Sequence, residues 1–388
     1  MLTAADKRRG IIAAIACLTV VGIGLAAVMP LLALTMDRMG VPSGMIGFNS
    51  AMPALAGIAT TPLIPSLLKR FGTRILLLGS IITSAACMMA YYLFPNIWLW
   101  FPIRFLNGAT LTLIFVVSET WINQLAEDHL RGRLMAIYAT VLSIGFATGP
   151  FVLMFAGSEG ILPYAIIAGL LLLACLPVLA AGHFVEESEQ DSGHGFASFL
   201  FIAPTATFAA FTFGMLEAGS MNLLPLYGLR VGLSEQAAAA ALSIFALGNV
   251  LCQLPIGYIA DKIDRRLLLG LCAGFGGSLI ALLPVFAGGP LFLPSIFLIG
   301  GTVTGLYTIG LTLLGQRFSG HDLGAANSAF VMMYSFGALI GPASGGNAMQ
   351  WAGPHGLPAF LGAVTLLYAV FALWRWRHPP KLPASPSL

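Results

Sequence analysis

Three charged side chains lie inside long apolar runs of this sequence: Arg104, Glu119 and Glu217. On insertion scales a charge at the centre of a hydrocarbon span costs about 2.5–3.5 kcal/mol, so such residues face a cavity or a partner. Arg104, Gly108, Thr112, Phe115 and Glu119 recur at helical spacing and form one stripe. A carboxyl group in apolar surroundings keeps its proton to higher pH and can exchange it near neutrality. Glu119 and Glu217 are therefore candidate proton-coupling groups. Arg104 is a candidate for holding an anionic part of a substrate, or for balancing a carboxylate. A purely structural reading stands beside each of these. In it backbone carbonyls cap Arg104, and the acids bond to nearby Ser, Thr or Asn.

The elements that position these residues follow from composition. The chain has 388 residues, of which 58% are hydrophobic and 9% charged. A soluble domain is about 45–50% apolar and about 25% charged. So little charge cannot coat a water-soluble surface of this size, and the lipid bilayer becomes the expected solvent. A crossing helix needs about 20 apolar residues. Breaking the chain at charges, turns and Pro/Gly clusters gives twelve such segments, at 10–36, 44–68, 74–94, 98–124, 133–157, 161–184, 198–227, 235–260, 266–287, 290–317, 323–351 and 356–376. The first is too long for a signal-peptide core and reads as a retained span. The fold class expected is an all-α membrane protein of two six-helix bundles. These are residues 1–185 and 198–388, joined by an acidic linker at 186–197 that carries Glu186, Glu187, Glu189 and Asp191.

Basic residues orient the spans. Of the 18 Lys and Arg, Arg38 and Arg230 alone fall in turns on one side, and Arg104 lies within a span. The remainder, including Lys7, Lys69, Arg70, Arg74, Arg131, Arg133, Lys262, Arg265, Arg266 and Arg377, falls on the other side. That places both termini in the cytoplasm of a cell whose inner (plasma) membrane holds the protein. Trp98 and Trp100 suit the outer interface. Dispersed basic turns of this kind give no nucleic-acid surface. No phosphate-binding loop, metal-ligand cluster or nucleophile elbow is present, so neither a cofactor nor a metal is expected. The five cysteines sit in apolar runs and read as packing residues.

An internal repeat runs through the chain. His129, Gly132, Ser143, Gly145, Gly149 and Pro150 match His321, Gly324, Ser335, Gly337, Gly341 and Pro342, each 192 residues later. The same offset superposes Pro102, Phe105, Leu106 and Gly108 on Pro294, Phe297, Leu298 and Gly300. Six spans separate the copies, so both halves have the same orientation. Parallel repeats of this kind place a binding site at the interface between halves. Gly145 and Gly149, like Gly337 and Gly341, each share one helix face and allow close backbone approach. Pro150 and Pro342 permit a bend. A flexible seam between the halves is one reading of these residues and simple tight packing the other; tight packing with a consequence for gating is the expectation.

These residues resemble the major facilitator superfamily over the whole chain. Its loop signature between spans 2 and 3 is matched in part by Lys69, Arg70, Gly72 and Arg74, and more fully by Gly257, Ala260, Asp261, Lys262, Arg265 and Arg266. Asp264 stands where glycine is usual in the second copy. The span 4 signature is similar to Arg104 and Gly108. The span 5 signature is partial at Gly145, Gly149 and Pro150, and complete in span 11 as Gly337, Gly341, Pro342, Gly345 and Gly346. Ser118-Glu119-Thr120-Trp121 with Arg131-Gly132-Arg133 is similar to the YcaD-like branch.

The resemblance implies a central cavity lined by spans 1, 4, 7 and 10, which turns the span 4 stripe inward. It makes Asn49, Thr112, Asn222, Tyr307, Thr308 and Tyr334 further wall candidates, placed by helix position. It also implies a cytoplasmic latch in which Asp261 faces Arg131 and Arg133, and Lys69 approaches Asp322. The reading that follows is a monomeric secondary transporter of a small organic solute, coupled to protons, with export ahead of import. A non-transporting sensor or assembly factor of the same fold is the alternative.

Overall fold

The computed structural model describes residues 4–125, 137, 141, 144–146, 148–149, 151–180, 203–317 and 320–378. The described residues are nearly all helical. The first half holds α1 (Ala4–Arg38), α2 (Ser43–Thr60), α3 (Ile64–Leu93), α4 (Ile97–Leu125), α5 (Leu162–Leu173) and α6 (Cys175–Ala180). The second half holds α7 (Pro204–Arg230), α8 (Glu235–Ala260), α9 (Arg265–Phe286), α10 (Phe292–Arg317), α11 (Gly320–Ala352) and α12 (Gly356–Arg377).

Among the described residues, eight helical stretches are long and apolar enough to cross a membrane. One of them, Ser43–Leu93, contains two of the expected crossings, because α3 is broken at Gly72. α7 and α11 are also long enough, at 27 and 33 residues, but are less apolar. The expected sixth crossing is the pair α5 and α6. The expected fifth, 133–157, is described only in part, and holds a shorter apolar stretch at Ile144–Ala156. The acidic linker, Arg131, Arg133 and Pro150 lie outside the described residues.

Helices associate in lipid by close packing at small residues rather than by expelling water. The glycines that do this obey the repeat. Gly108 on α4 sits against the backbone of Pro53 on α2, and Gly300 on α10 sits against Phe245 on α8. Gly145 and Gly149 sit against the Thr19 and Ile23 carbonyls of α1, and Gly337 and Gly341 sit against the Phe211 and Met215 carbonyls of α7. Each contact in the second half lies 192 residues after its counterpart in the first. The repeat is therefore one of packing as well as of residue type.

These contacts also correct one expectation. Gly145, Gly149, Gly337 and Gly341 each join helices within one half. The seam between halves runs instead through α2 and α11, where Gly47 meets the Pro342 carbonyl and Gly346 meets the Ser43 carbonyl. A second correction concerns Trp100, which is fully buried and packs edge-on to Tyr91 at 5.4 Å. Trp98, two residues before it, is exposed as an interface residue should be.

The two basic turns are built differently. Gly72 adopts φ 72°, a conformation open to glycine without strain. Its counterpart, Asp264, instead caps α9, accepting bonds from the Arg266 and Leu267 amides at 2.8 and 3.2 Å. The departure from the usual glycine is thus a helix cap.

Candidate functional site

At one end of the molecule the halves are tied together by polar groups. Arg230, at the end of α7, pairs with Asp37 of α1 at 2.6 Å and also donates to the Ser43 hydroxyl. Arg38 pairs with Glu235 of α8 at 3.0 Å and donates to the Ser158 hydroxyl at 2.7 Å. Ser158 in turn donates to Glu235 at 2.6 Å. The Gly44 amide donates to Gln350 of α11 at 3.0 Å. All but the Gly44–Gln350 bond engage a charged group, and all but the Arg38–Ser158 bond cross between halves. Beneath them lies the Gly47–Gly346 contact. This end is sealed.

At the opposite end the contacts seen between described residues stay inside one half. Arg265 pairs with Asp261, one turn away in sequence, at 3.3 Å and donates to the Ala260 carbonyl. Lys262 stacks over Tyr258, and Arg70 over Phe71. Arg74 donates to the Leu179 carbonyl at 3.0 Å. Lys69, Arg70, Asp261 and Lys262 are exposed, and Arg266 is half-buried. The expected partners of Asp261, namely Arg131 and Arg133, lie outside the described residues, as does the side chain of Asp322.

Between the ends are two polar layers. The first surrounds Arg104, which is 2% exposed. Its guanidinium donates to the Asn222 Oδ1 of α7 at 3.3 Å, a bond between the halves. Asn222 is held by its own bond to the Ala218 carbonyl at 2.8 Å. The Tyr91 hydroxyl lies within electrostatic reach of the guanidinium but makes no hydrogen bond of good geometry. The partner found for Arg104 is thus a side-chain amide, whereas sequence reasoning offered a carboxylate or backbone carbonyls. Asn49 is fully buried, with neither amide atom bonded.

The second layer is centred on Glu217. Tyr334 of α11 donates to its Oε2 at 2.7 Å. Five residues separate Glu217 from Asn222 on α7, so this layer lies about 7–8 Å further from the sealed end. Phe213, Tyr307 and Tyr334 pack as a ring cluster with centroids 5.2–6.2 Å apart. Tyr307 also packs edge-on to Phe330. Glu119 and Glu217 both lie within electrostatic reach of the Tyr307 hydroxyl, which brings an acid from each half toward one phenol. The Thr308 hydroxyl is buried and unbonded. Thr112, half-buried, lies against Gly57 of α2. Along the α4 stripe Arg104 and Gly108 are buried, while Thr112, Phe115 and Glu119 are half-buried. The stripe therefore becomes more accessible away from the seal.

Sequence reasoning did not single out the polar seal or Tyr91. Asp37, Arg38, Arg230 and Glu235 look like ordinary turn residues. Their one signal was that Arg38 and Arg230 are the sole basic residues on their side.

Two helical halves that meet at buried polar layers, sealed at one end, have the build of a membrane carrier. The profile of the Major Facilitator Superfamily matches residues 14–227 and 206–388. The chain belongs to that superfamily, whose members are transporters rather than enzymes. It is 26% identical over 338 residues to the MFS-type transporter YfkF of Bacillus subtilis, covering 85% of this chain and 86% of that one. It is 27% identical over 343 residues to the MFS-type transporter YcaD of Escherichia coli (strain K12 / DH10B), covering 87% and 88%. Among solved structures it is similar to the nucleoside transporter NupG, with a TM-score of 0.80 at 13% identity, covering 97% of this chain and 100% of that one. A D-xylose-proton symporter gives 0.71 at 17% identity, covering 96% and 98%.

Proposed function

We propose that the protein is a monomeric, proton-coupled secondary transporter of a small organic solute in the inner (plasma) membrane, working by alternating access. The basic end faces the cytoplasm with both termini, and the sealed end faces outward. In this state the carrier is closed to the outside. The observation that carries the coupling is the Tyr334–Glu217 hydrogen bond at 2.7 Å, inside the protein and beside Tyr307. An ionised Glu217 accepts from Tyr334; a protonated one can release that bond and let α11 and α7 shift. Glu119 approaches the same phenol from the other half, so protonation there adjusts how the halves meet. Export is the direction to test first, although the partial span 5 pattern at Gly145, Gly149 and Pro150 weighs against it.

The test is flux in proteoliposomes with an imposed pH gradient, using solutes first found by thermal-shift screening of the purified protein. Glu217→Gln is expected to abolish gradient-driven accumulation while leaving solute exchange between the two sides. If Glu217→Gln and Glu119→Gln both keep the pH dependence of the wild type, the coupling assignment is wrong.

A further inference from the structure

Arg104 is a buried cation whose bonding is incomplete. A guanidinium carries five N–H donors. Among the described residues it makes one hydrogen bond, a 3.3 Å contact to a neutral amide, and its Nε has no partner. No carboxylate pairs with it among those residues. A desolvated charge held this way is costly unless something compensates it.

A second unsatisfied group stands beside it. α2 and α4 run side by side in the same direction: Gly108 meets Pro53, and Gly57 meets Thr112 one turn on. One turn back along each helix are Asn49 and Arg104. They occupy the same faces of their helices as the contacting residues. Asn49 is fully buried with both amide atoms unbonded. A guanidinium from α4 and amides from α2 and α7 thus converge on one level. That level is six residues, or about 9 Å, beneath Ser43 and the outer seal.

We infer that Arg104, Asn49 and Asn222 form the binding site for the carboxylate group of a singly charged organic anion, which is the transported solute. The inference rests on the transporter reading and names its substrate class. A guanidinium presents paired donors that match the two oxygens of a carboxylate. One cation balances one negative charge; a doubly charged phosphate would leave charge uncompensated here. The Asn49 amide supplies a free directional donor, and Asn222 holds the guanidinium from the other half through its Oδ1 with one N–H left to donate, so the bound anion sits at the interface between halves. The ring cluster of Phe213, Tyr307 and Tyr334 lies one layer inward, which suits an aromatic or other apolar body behind the carboxylate.

The test uses purified full-length protein with benzoate and phenylacetate as probes, benzamide as a neutral isostere and chloride as a simple anion. The carboxylates are expected to raise the melting temperature of the wild type, and benzamide and chloride are not. Arg104→Gln is expected to weaken carboxylate binding at least 10-fold, and Arg104→Lys to weaken it less. Asn222→Asp provides the missing carboxylate within the chain. It is expected to raise the melting temperature without ligand and to abolish the response to benzoate.

The inference is overturned if benzamide or chloride stabilises as well as benzoate, or if neither carboxylate binds. Folded Arg104→Gln that binds like the wild type also overturns it, as does Asn222→Asp that lowers stability and still binds. Flux distinguishes the two readings. Carboxylate binding without transport removes the proposed function and keeps the site. Transport of neutral solutes without carboxylate binding does the reverse.

Discussion

The two ends of this molecule carry charge to opposite effect. The end with many basic residues spends its described contacts inside single halves, as in the Arg265–Asp261 pair and the Arg74–Leu179 bond. The end with just two uses both to join the halves: Arg230 to Asp37 and Ser43, and Arg38 to Glu235. Charge number sets which way the chain sits in a membrane. Charge pairing joins the halves at one end in this structure. The two properties are separable, and a residue count shows one of them alone.

The comparison breaks most severely at the seam. Gly47→Leu adds a side chain where even a Cβ would meet the Pro342 backbone carbonyl, which cannot yield as a flexible side chain would. It is expected to force the sealed end apart and abolish transport, measured as flux together with labelling of a cysteine introduced at Ser50. An intact seal and normal flux in this variant would place the seam elsewhere.

The next largest effect is expected at Arg230. Hydrogen bonds to charged groups contribute about 1.5–3 kcal/mol each. Losing the Asp37 contact should therefore shift the balance between the two states by about 10- to 100-fold. Arg230→Asp is expected to open the sealed end, and the exchange Asp37→Arg with Arg230→Asp to restore closure. Cysteine accessibility in membranes reads both. A double variant no more closed than the single one would show that the pair has no gating role.

The unlike turns at the basic end give smaller effects. Asp264→Ala removes the cap of α9 and should lower stability by about 0.5–2 kcal/mol. Gly72→Ala places a Cβ in the left-handed region and should lower it by about 1–2 kcal/mol. Thermal unfolding in one detergent compares them. If either is neutral, the local account of that turn fails.

The smallest effect is expected at Asp261, which is exposed. Its pair with Arg265 is a surface contact worth about 0–1 kcal/mol. Asp261→Ala should leave thermal stability within about 0.5 kcal/mol and have little influence on which end is open. A large shift toward opening at the basic end would instead support the latch with Arg131 and Arg133.

Much of the fold was legible because lipid makes a simple demand. Apolar runs long enough to cross, interrupted by basic turns, gave α8 and α9 nearly to the residue. The repeat was legible because the same Gly and Pro residues serve the same contacts in both halves, as Gly108 and Gly300 do. What failed was position relative to the packing surface. Trp100 reads as an interface residue from its neighbourhood, but its indole fills a site against Tyr91.

The site was half legible for a related reason. A charge in an apolar run stands out, so Arg104 and Glu217 were visible. Their partners, Asn222 and Tyr334, could be placed on suitable helices but not paired, because each pairing depends on how helices far apart in sequence meet. Tyr91 carried no signal at all, since an aromatic residue in a span is commonplace. The seal was hidden more deeply: Asp37, Arg38 and Glu235 flank turns, where charge is expected.

The most direct measurement is the distance across each end in lipid nanodiscs, read by electron–electron resonance. One pair of spin labels at Met39 and Gln236 reports the sealed end, and another at Ser66 and Lys262 reports the basic end. The account predicts a short distance for the first pair and a long one for the second, with both reversing together in Arg230→Asp. Distances that stay fixed in that variant, or that change at one end alone, would contradict two halves rocking about a central site.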